Sequence, residues 1–333
     1  MPMLLRYLKL TETMIKAPLK FVPYLKDVIW GGNKICAYKG IAQTKPNIGE
    51  SWEISAVPGH ESVVSEGEYK GQSLTDLIAR FGAELLGKEV MKRYDGKFPL
   101  LIKLIDAADN LSVQVHPDDA LAQQRHNSLG KTEMWYIIQA DKDAKIFAGL
   151  NTEMTPDDYV NRVAAGTFAE TLAVHDSNQG DVFFLPAGRV HAIGAGNLLA
   201  EIQESSDITY RIYDYDRRDA AGNPRELHTE QAKDAIDYTI HSEYKNPPVL
   251  ADVADCEIVK CDHFTTNRIL LSGEQQLSLT SSSFTVIICL EGKVTLKYPA
   301  GEMIVDAGNT VLVPAAMTDL VASGKATLLV CHS

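Results

Sequence analysis

The sequence predicts a mainly β protein, built as two jelly-roll barrels with a few accessory helices. Three observations carry this. Short runs rich in β-branched and aromatic residues are separated by Gly, Pro, Asn and Asp along most of the 333 residues, the pattern of many short strands. Helix-period stretches are few. One stretch recurs: GDVFFLPAGRVH (180–191) and GNTVLVPAAMTD (308–319) both read Gly, five residues, Pro, Ala. Upstream of each copy a similar strand–turn–strand pattern occurs, MWYIIQADKDAKIF (134–147) and FTVIICLEGKVTLKY (284–298). Repeated short strands with turn punctuation suit a double-sheet jelly roll.

In chain order, MPMLLRYLKLTETMIK (1–16) lacks both a sustained apolar stretch and a small-residue cleavage site, so it reads as a short extension, or as an upstream start with Met14 the real one. Ser73 can cap a helix running to about Tyr94, with Leu74, Leu77, Ile78 and Phe81 on one face. Strands are expected at Phe98–Ile105, Leu111–His116, Met134–Ile138 and Asp181–Leu185. Thr155-Pro156, a cap followed by proline at the first helical position, opens a second helix reaching Ala173. His228–Tyr238 is a third. The Pro247-Pro248 stretch, Asn246–Ala254, reads as a linker. Beyond it, strands are expected at Phe284–Leu290, Lys293–Tyr298 and Thr310–Val313. The expected organisation is therefore an extension (1–16), a first barrel with helical segments (17–245) and a second, degenerate barrel (255–333).

Composition narrows the function. A net charge of −12 argues against non-specific nucleic-acid binding, which needs a basic surface. It leaves room for an anionic small substrate, because a local cluster of Lys and Arg overrides the global sign. No stretch is long and apolar enough to span a membrane. Five cysteines, with no CxxC pair, read as free thiols in a reducing cytoplasm.

Four residues form a constellation. In LSVQVHPDD (111–119), Gln114 and His116 lie two apart on a strand and share a face, while Val113 and Val115 take the other. Glu133 opens EMWYII, and His191 follows the Gly-Pro turn. Two imidazoles, a carboxylate and an amide oxygen from three strands suit zinc or another divalent first-row metal. Two histidines and a carboxylate also describe non-haem iron sites, so the donors alone leave the metal open. A lone histidine at a strand end is ordinarily a satisfied polar residue; the ordered set Gln-x-His, Glu, PxGxxH is what makes this one specific. In the second copy of the repeat Ala316 and Asp319 replace Gly188 and His191, so one ion per chain is expected, in the first barrel. Nearby stand Lys103 in an apolar strand, Lys131 two residues before Glu133, Glu201, and Arg211 ten residues later. Glu50, Trp52 and Asp106 read as ordinary scaffold.

Together these segments resemble type I mannose-6-phosphate isomerases of the cupin superfamily, especially the short bacterial form. The matching stretches are VIWGG (28–32), GESWEIS (49–55), PLLIKLIDA (99–107), LSVQVHPDD (111–119), GKTEMWY (130–136), PAGRVHAIGAG (186–196) and EIQESSDITYRIYDYDR (201–217). The resemblance implies interconversion of mannose 6-phosphate and fructose 6-phosphate through an enediolate. It implies one zinc on Gln114, His116, Glu133 and His191, and a phosphosugar as the partner. It places Arg211, Glu201 and Lys131 among catalytic residues, and Ser112 and Lys103 against substrate. Glu201 is the candidate base, with His191 or metal-bound water as rivals; Lys131 and Lys103 are candidates for phosphate binding or ring opening. Larger members carry a bigger helical insertion than this length permits, and Gln114 takes a place often held by His in cupins. Two other readings are a cupin dioxygenase, separable by metal content and oxygen uptake, and a non-catalytic metal-containing sugar-binding protein, separable by turnover.

Overall fold

The computed structural model describes residues 15–218, 221–248 and 253–333. Residues 1–14, nearly all of the expected extension, lie outside the described residues, as do 249–252 of the expected linker. The protein is mainly β, and its strands join into three antiparallel sheets.

The middle sheet has six strands in the order Val182–Leu185, Glu133–Ala140, Asn197–Glu204, Leu100–Ala107, Tyr24–Gly32, Ile48–Ile54. Its central strands are buried along their length, and period two sorts their side chains onto opposite faces. Leu100, Ile102 and Leu104 join Met134, Tyr136, Ile138, Leu198, Ala200 and Ile202 in one apolar cluster. Ile105 and Ala107 join Trp135, Ile137 and Leu199 in another. That second cluster includes Ile146, Ala148 and Ile193 of the five-stranded sheet, ordered Tyr210–Tyr213, Val113–Val115, His191–Ile193, Lys145–Leu150, Leu172–Asp176. The odd-numbered polar residues Lys103, Glu133 and Glu201 therefore face the five-stranded sheet from the middle one.

The even-numbered face packs on an eight-stranded sheet. There the strands Asp255–Lys260, Thr265–Gln276, Val321–His332, Thr285–Tyr298 and Thr310–Val313 are continued by Leu19–Val22 and Val63–Val64, and Gly301–Asp306 pairs with Thr285–Tyr298. Leu19 sits opposite Leu312 and Phe21 opposite Val64. Phe284, Val286 and Leu329 share the large core with Leu100 and Ile102. The segments on either side of the expected linker are thus joined by backbone pairing and by one apolar core.

Three local expectations need correction. Residues 285–298 form one continuous strand, not strand–turn–strand; Gly292 has a positive φ of 74° and the register shifts between Cys289 and Glu291, so the Glu-Gly pair makes a bulge inside a paired strand. The long helix expected from Ser73 starts as read, its hydroxyl accepting from Asp76 N at 3.0 Å, but breaks into Leu74–Phe81, Ala83–Leu86 and Lys88–Arg93 at Gly82 and Gly87. The helix opened by Thr155 has its capping box but ends at Ala164.

Gly87 has φ +90°, and a Cβ there would lie 2.2 Å from the carbonyl oxygen of Ser282, in the turn that leads into the strand Thr285–Tyr298. Backbone strain alone makes Gly87→Ala cost roughly 1–3 kcal/mol, and the carbonyl clash adds to it. Denaturant unfolding should show a lowered midpoint with an unchanged slope.

Candidate active site

Between the middle and five-stranded sheets lies a cavity of about 380 Å³. Lys103, Ser112, Gln114, Lys131, Glu201 and Arg211, all expected at the site from sequence, line it. His116, Glu133 and His191 are almost fully buried beside it. Their ligand atoms lie within 4.8 Å of one another.

His191 and Glu133 are delivered by paired strands, and His116 directly follows the end of the strand Val113–Val115. His191 sits opposite Gln114 in the five-stranded sheet, and Arg211 opposite Gln114 on its other side. Val113 and Val115 take the reverse face, as their alternation requires, in a cluster with Tyr159, Phe168 and Ala232. Glu133 begins a strand of the facing sheet. Lys131 precedes that strand yet still points inward, its Nζ 3.9 Å from Glu133 Oε2.

The rings are oriented by backbone carbonyls. His116 Nδ1 donates to Ile208 O at 3.0 Å and His191 Nδ1 to Arg189 O at 2.8 Å. Both therefore turn a bare Nε2 toward Glu133, 3.6 Å from Oε2 and 3.2 Å from Oε1 respectively. Burial lowers the pKa of both, well below the ordinary value for His116 and to about 4 for His191. Burial, with the charge of Glu201 adding to it, raises that of Glu133. Among the described residues, His116 Nε2 and both Glu133 carboxylate oxygens are buried without a hydrogen-bond partner. Three buried, unpartnered, converging donors are costly unless a cation satisfies them, and two neutral imidazoles with a carboxylate fit a divalent metal. Gln114 Nε2 lies 3.2 Å from His191 Nε2; rotating the amide presents its oxygen instead.

On the opposite wall, Glu201 Oε2 accepts from Lys103 Nζ at 2.7 Å and Glu201 Oε1 from Trp135 Nε1 at 2.9 Å. Burial raises the carboxyl pKa, but Lys103 and Lys131 outweigh it and hold Glu201 below its ordinary value. Burial likewise opposes the Lys103 charge, and Glu201 and Glu50 outweigh it. Lys131 is pushed down, by burial first and by Lys103 next. Glu50 and Trp52, read from sequence as scaffold, also line the cavity, and Trp52 Nε1 donates to Glu50 Oε2 at 2.7 Å. Trp135 and Gln203, whose Oε1 accepts from Lys103 at 2.6 Å, were missed. Their placement two residues from Glu133 and Glu201 on the same strands, hence on the same face, is the signal that finds them.

Arg211 reaches the cavity from the strand Tyr210–Tyr213. Its Nη1 donates to Glu226 O at 2.8 Å, and among the described residues its buried Nε has no hydrogen-bond partner. Asp214, three residues further on, is held by Arg217, at 2.7 Å, and by Arg225.

A second group, Asp119, Glu204 and His263, also clusters. Two of its carboxylate oxygens already accept backbone N–H groups, Asp119 Oδ1 from Gly130 and Glu204 Oε2 from Thr132.

Antiparallel sheets enclosing a buried, converging His–Glu–His cluster beside a polar cavity define a cupin-type protein with a place for a divalent ion. Residues 19–154 match the phosphomannose isomerase type I catalytic domain, and 254–333 the mannose-6-phosphate isomerase cupin domain. The chain is 35% identical to a mannose-6-phosphate isomerase of Bacillus subtilis over 330 residues, 96% of this chain and all of that one. It is 35% identical to a mannose-6-phosphate isomerase of Streptococcus mutans over 320 residues, 95% and 98% of the two chains. The crystal structure of the mannose 6-phosphate isomerase from Bacillus subtilis superposes with a TM-score of 0.86 at 33% identity, covering 96% of this chain and 100% of that one. A variant of phosphomannose isomerase from Salmonella typhimurium shares the fold at 17% identity, with a TM-score of 0.77 over 95% and 99% of the two chains. The chain belongs to the type I phosphomannose isomerase family.

Proposed function

We propose that this enzyme interconverts D-mannose 6-phosphate and D-fructose 6-phosphate, with one zinc ion held by His116, Glu133, His191 and Gln114. The observation that carries the reading is the convergence of bare, buried donors beside a cavity whose wall is rich in cations. Lys26, Lys103, Lys131, Arg211 and Arg225 line it against Glu50, Glu201 and Asp207, a local excess of positive charge in a chain of net charge −12, as an anionic substrate requires.

When bound, the ion supplies Lewis-acid stabilisation of the negative charge that grows during proton transfer between C2 and C1. Glu201, held ionised by Lys103 and Trp135, is the proposed base. His191 is a weaker candidate, because one ring nitrogen is spent on Arg189 O and the other faces Glu133. Arg211 is proposed to face the developing charge with its permanently protonated guanidinium. Lys131 is proposed to assist ring opening, and Ser112 and Lys103 to contact the phosphosugar. Five free thiols suit a reducing cytoplasm. Among the described residues no helix is long and apolar enough to cross a membrane.

A coupled assay of mannose 6-phosphate turnover, with and without chelator, tests the reading. Chelation should abolish activity and zinc or a similar divalent ion restore it; full activity in thoroughly metal-free protein, or oxygen uptake without isomerisation, overturns it. Elemental analysis should find one ion per chain. Asp319, at the position in the second repeat that corresponds to His191, is an exposed residue with Gln276 as its neighbour. A His116→Ala, His191→Ala double variant should accordingly hold none.

A further inference from the structure

The C-terminal segment contributes no side chain to the metal cluster, yet one of its residues reaches the strand Asn197–Glu204, which pairs with the strand that carries Glu133. Glu204 ends the central strand Asn197–Glu204 and is almost fully buried. Its Oε2 accepts from Thr132 N at 2.7 Å, and its own N–H donates to Thr132 O at 3.1 Å. Glu204 thus holds both backbone polar groups of Thr132, the N–H of the peptide to Lys131 and the C=O of the peptide to Glu133. It stands between Lys131, which lines the cavity, and Glu133, which faces the two histidines. The other Glu204 oxygen, Oε1, lies 3.0 Å from His263 Nδ1, in ion-pair contact though without a hydrogen bond of good angle.

His263 is itself rigidly mounted. It lies between the strands Asp255–Lys260 and Thr265–Gln276, in a turn closed by Cys261 N donating to Phe264 O at 3.0 Å. Ser333 Oγ donates to His263 O at 2.9 Å, and Arg93 Nη1 to the neighbouring Asp262 O. A buried carboxylate without a counter-charge is expensive. Without His263, the Glu204 carboxylate would turn toward water, which loosens its hold on Thr132.

We propose that His263 is a positioning residue for the isomerase reaction: by pairing with Glu204 it fixes the Thr132 peptide, and so sets Lys131 and Glu133. Its proximity to Glu204 raises the imidazole pKa against the opposing effect of burial, which agrees with the charged pair. This gives the C-terminal unit a part in chemistry that takes place in the other half of the chain. The inference rests on the functional reading above for its kinetic consequence, and on geometry alone for its effect on the metal cluster.

The test uses the full chain with His263→Ala and His263→Asn, the second returning an N–H donor near the Nδ1 position. Loss of a group that orients a ligand from behind typically lowers activity or metal affinity by about tenfold or more. His263→Ala should therefore lower kcat for mannose 6-phosphate by about tenfold with KM near the parent value, and weaken Co²⁺ binding, followed by its visible spectrum, by about the same factor; the unpaired Glu204 carboxylate also lowers the thermal midpoint. His263→Asn should recover most of both losses. Parent kcat and parent cobalt affinity in His263→Ala would overturn the proposal. So would equal losses in both variants that track a fall in thermal midpoint, since these mark general destabilisation. A parent chain without turnover would remove the functional reading alone, and the cobalt titration would still decide the positioning role.

Discussion

Arg211→Ala should keep its fold and its metal and lose about a hundredfold or more in kcat, the usual cost of deleting one preorganised donor aimed at developing charge. The structural reason is that Arg211 is committed to the cavity and not to a surface ion pair. Asp214, close in sequence, is occupied by Arg217 and Arg225. The Arg211 side chain donates to Glu226 O, and among the described residues its buried Nε has no hydrogen-bond partner. Burial lowers its pKa from the ordinary value, but a guanidinium stays protonated in any accessible pH range, so the effect should be nearly independent of pH. An exposed ion pair is worth only about 0–1 kcal/mol. Near-normal turnover in Arg211→Ala, with metal content measured on the same preparation, would assign it that lesser role.

Glu133→Ala should instead empty the metal site. Structural zinc binding is worth about 10–16 kcal/mol across four ligands. One ligand is then worth on the order of 3 kcal/mol, about a hundredfold in affinity. Elemental analysis after dialysis should find little metal in Glu133→Ala, and turnover should fall with it. The metal-free variant should stay folded. In the metal-free parent, Glu133 is a buried carboxyl with both oxygens unpartnered, and removing such a group relieves a desolvation cost. A thermal midpoint well below that of the metal-free parent would show that Glu133 supports the fold in its own right. Full metal retention would show that the donors do not act as a set.

Much of this site was legible because strand chemistry is local. Alternation alone separates Gln114 and His116 from Val113 and Val115, and the same rule places Lys103, Glu133 and Glu201 on the face opposite Leu104, Met134 and Ala200. Capping is equally local, and Ser73 and Thr155 behave as their sequences require. What misled the reading was local conformation under tertiary constraint. Gly82 and Gly87 were absorbed into one apolar helix pattern, yet Gly87 must let the chain pass within contact distance of Ser282. Glu291-Gly292 resembles a hairpin turn, but pairing with Val321–His332 along its length holds the strand continuous.

The sequence by itself determined the mainly β class and which candidate side chains share a face of their strand, since these follow from residue type and a two-residue period. Only the tertiary structure decided how distant segments meet. Strand pairing brings His191 beside Gln114, 77 residues apart, and sheet stacking brings both against Glu133. The structure also decided that Leu19–Val22 completes the C-terminal sheet, that Glu50 and Trp52 belong to the cavity wall, and that His263 reaches Glu204. The physical reason is range. Backbone alternation acts between neighbours in the chain, whereas the partner of a strand or of a buried charge is chosen by which distant surface offers the matching edge, volume or charge once the core has closed.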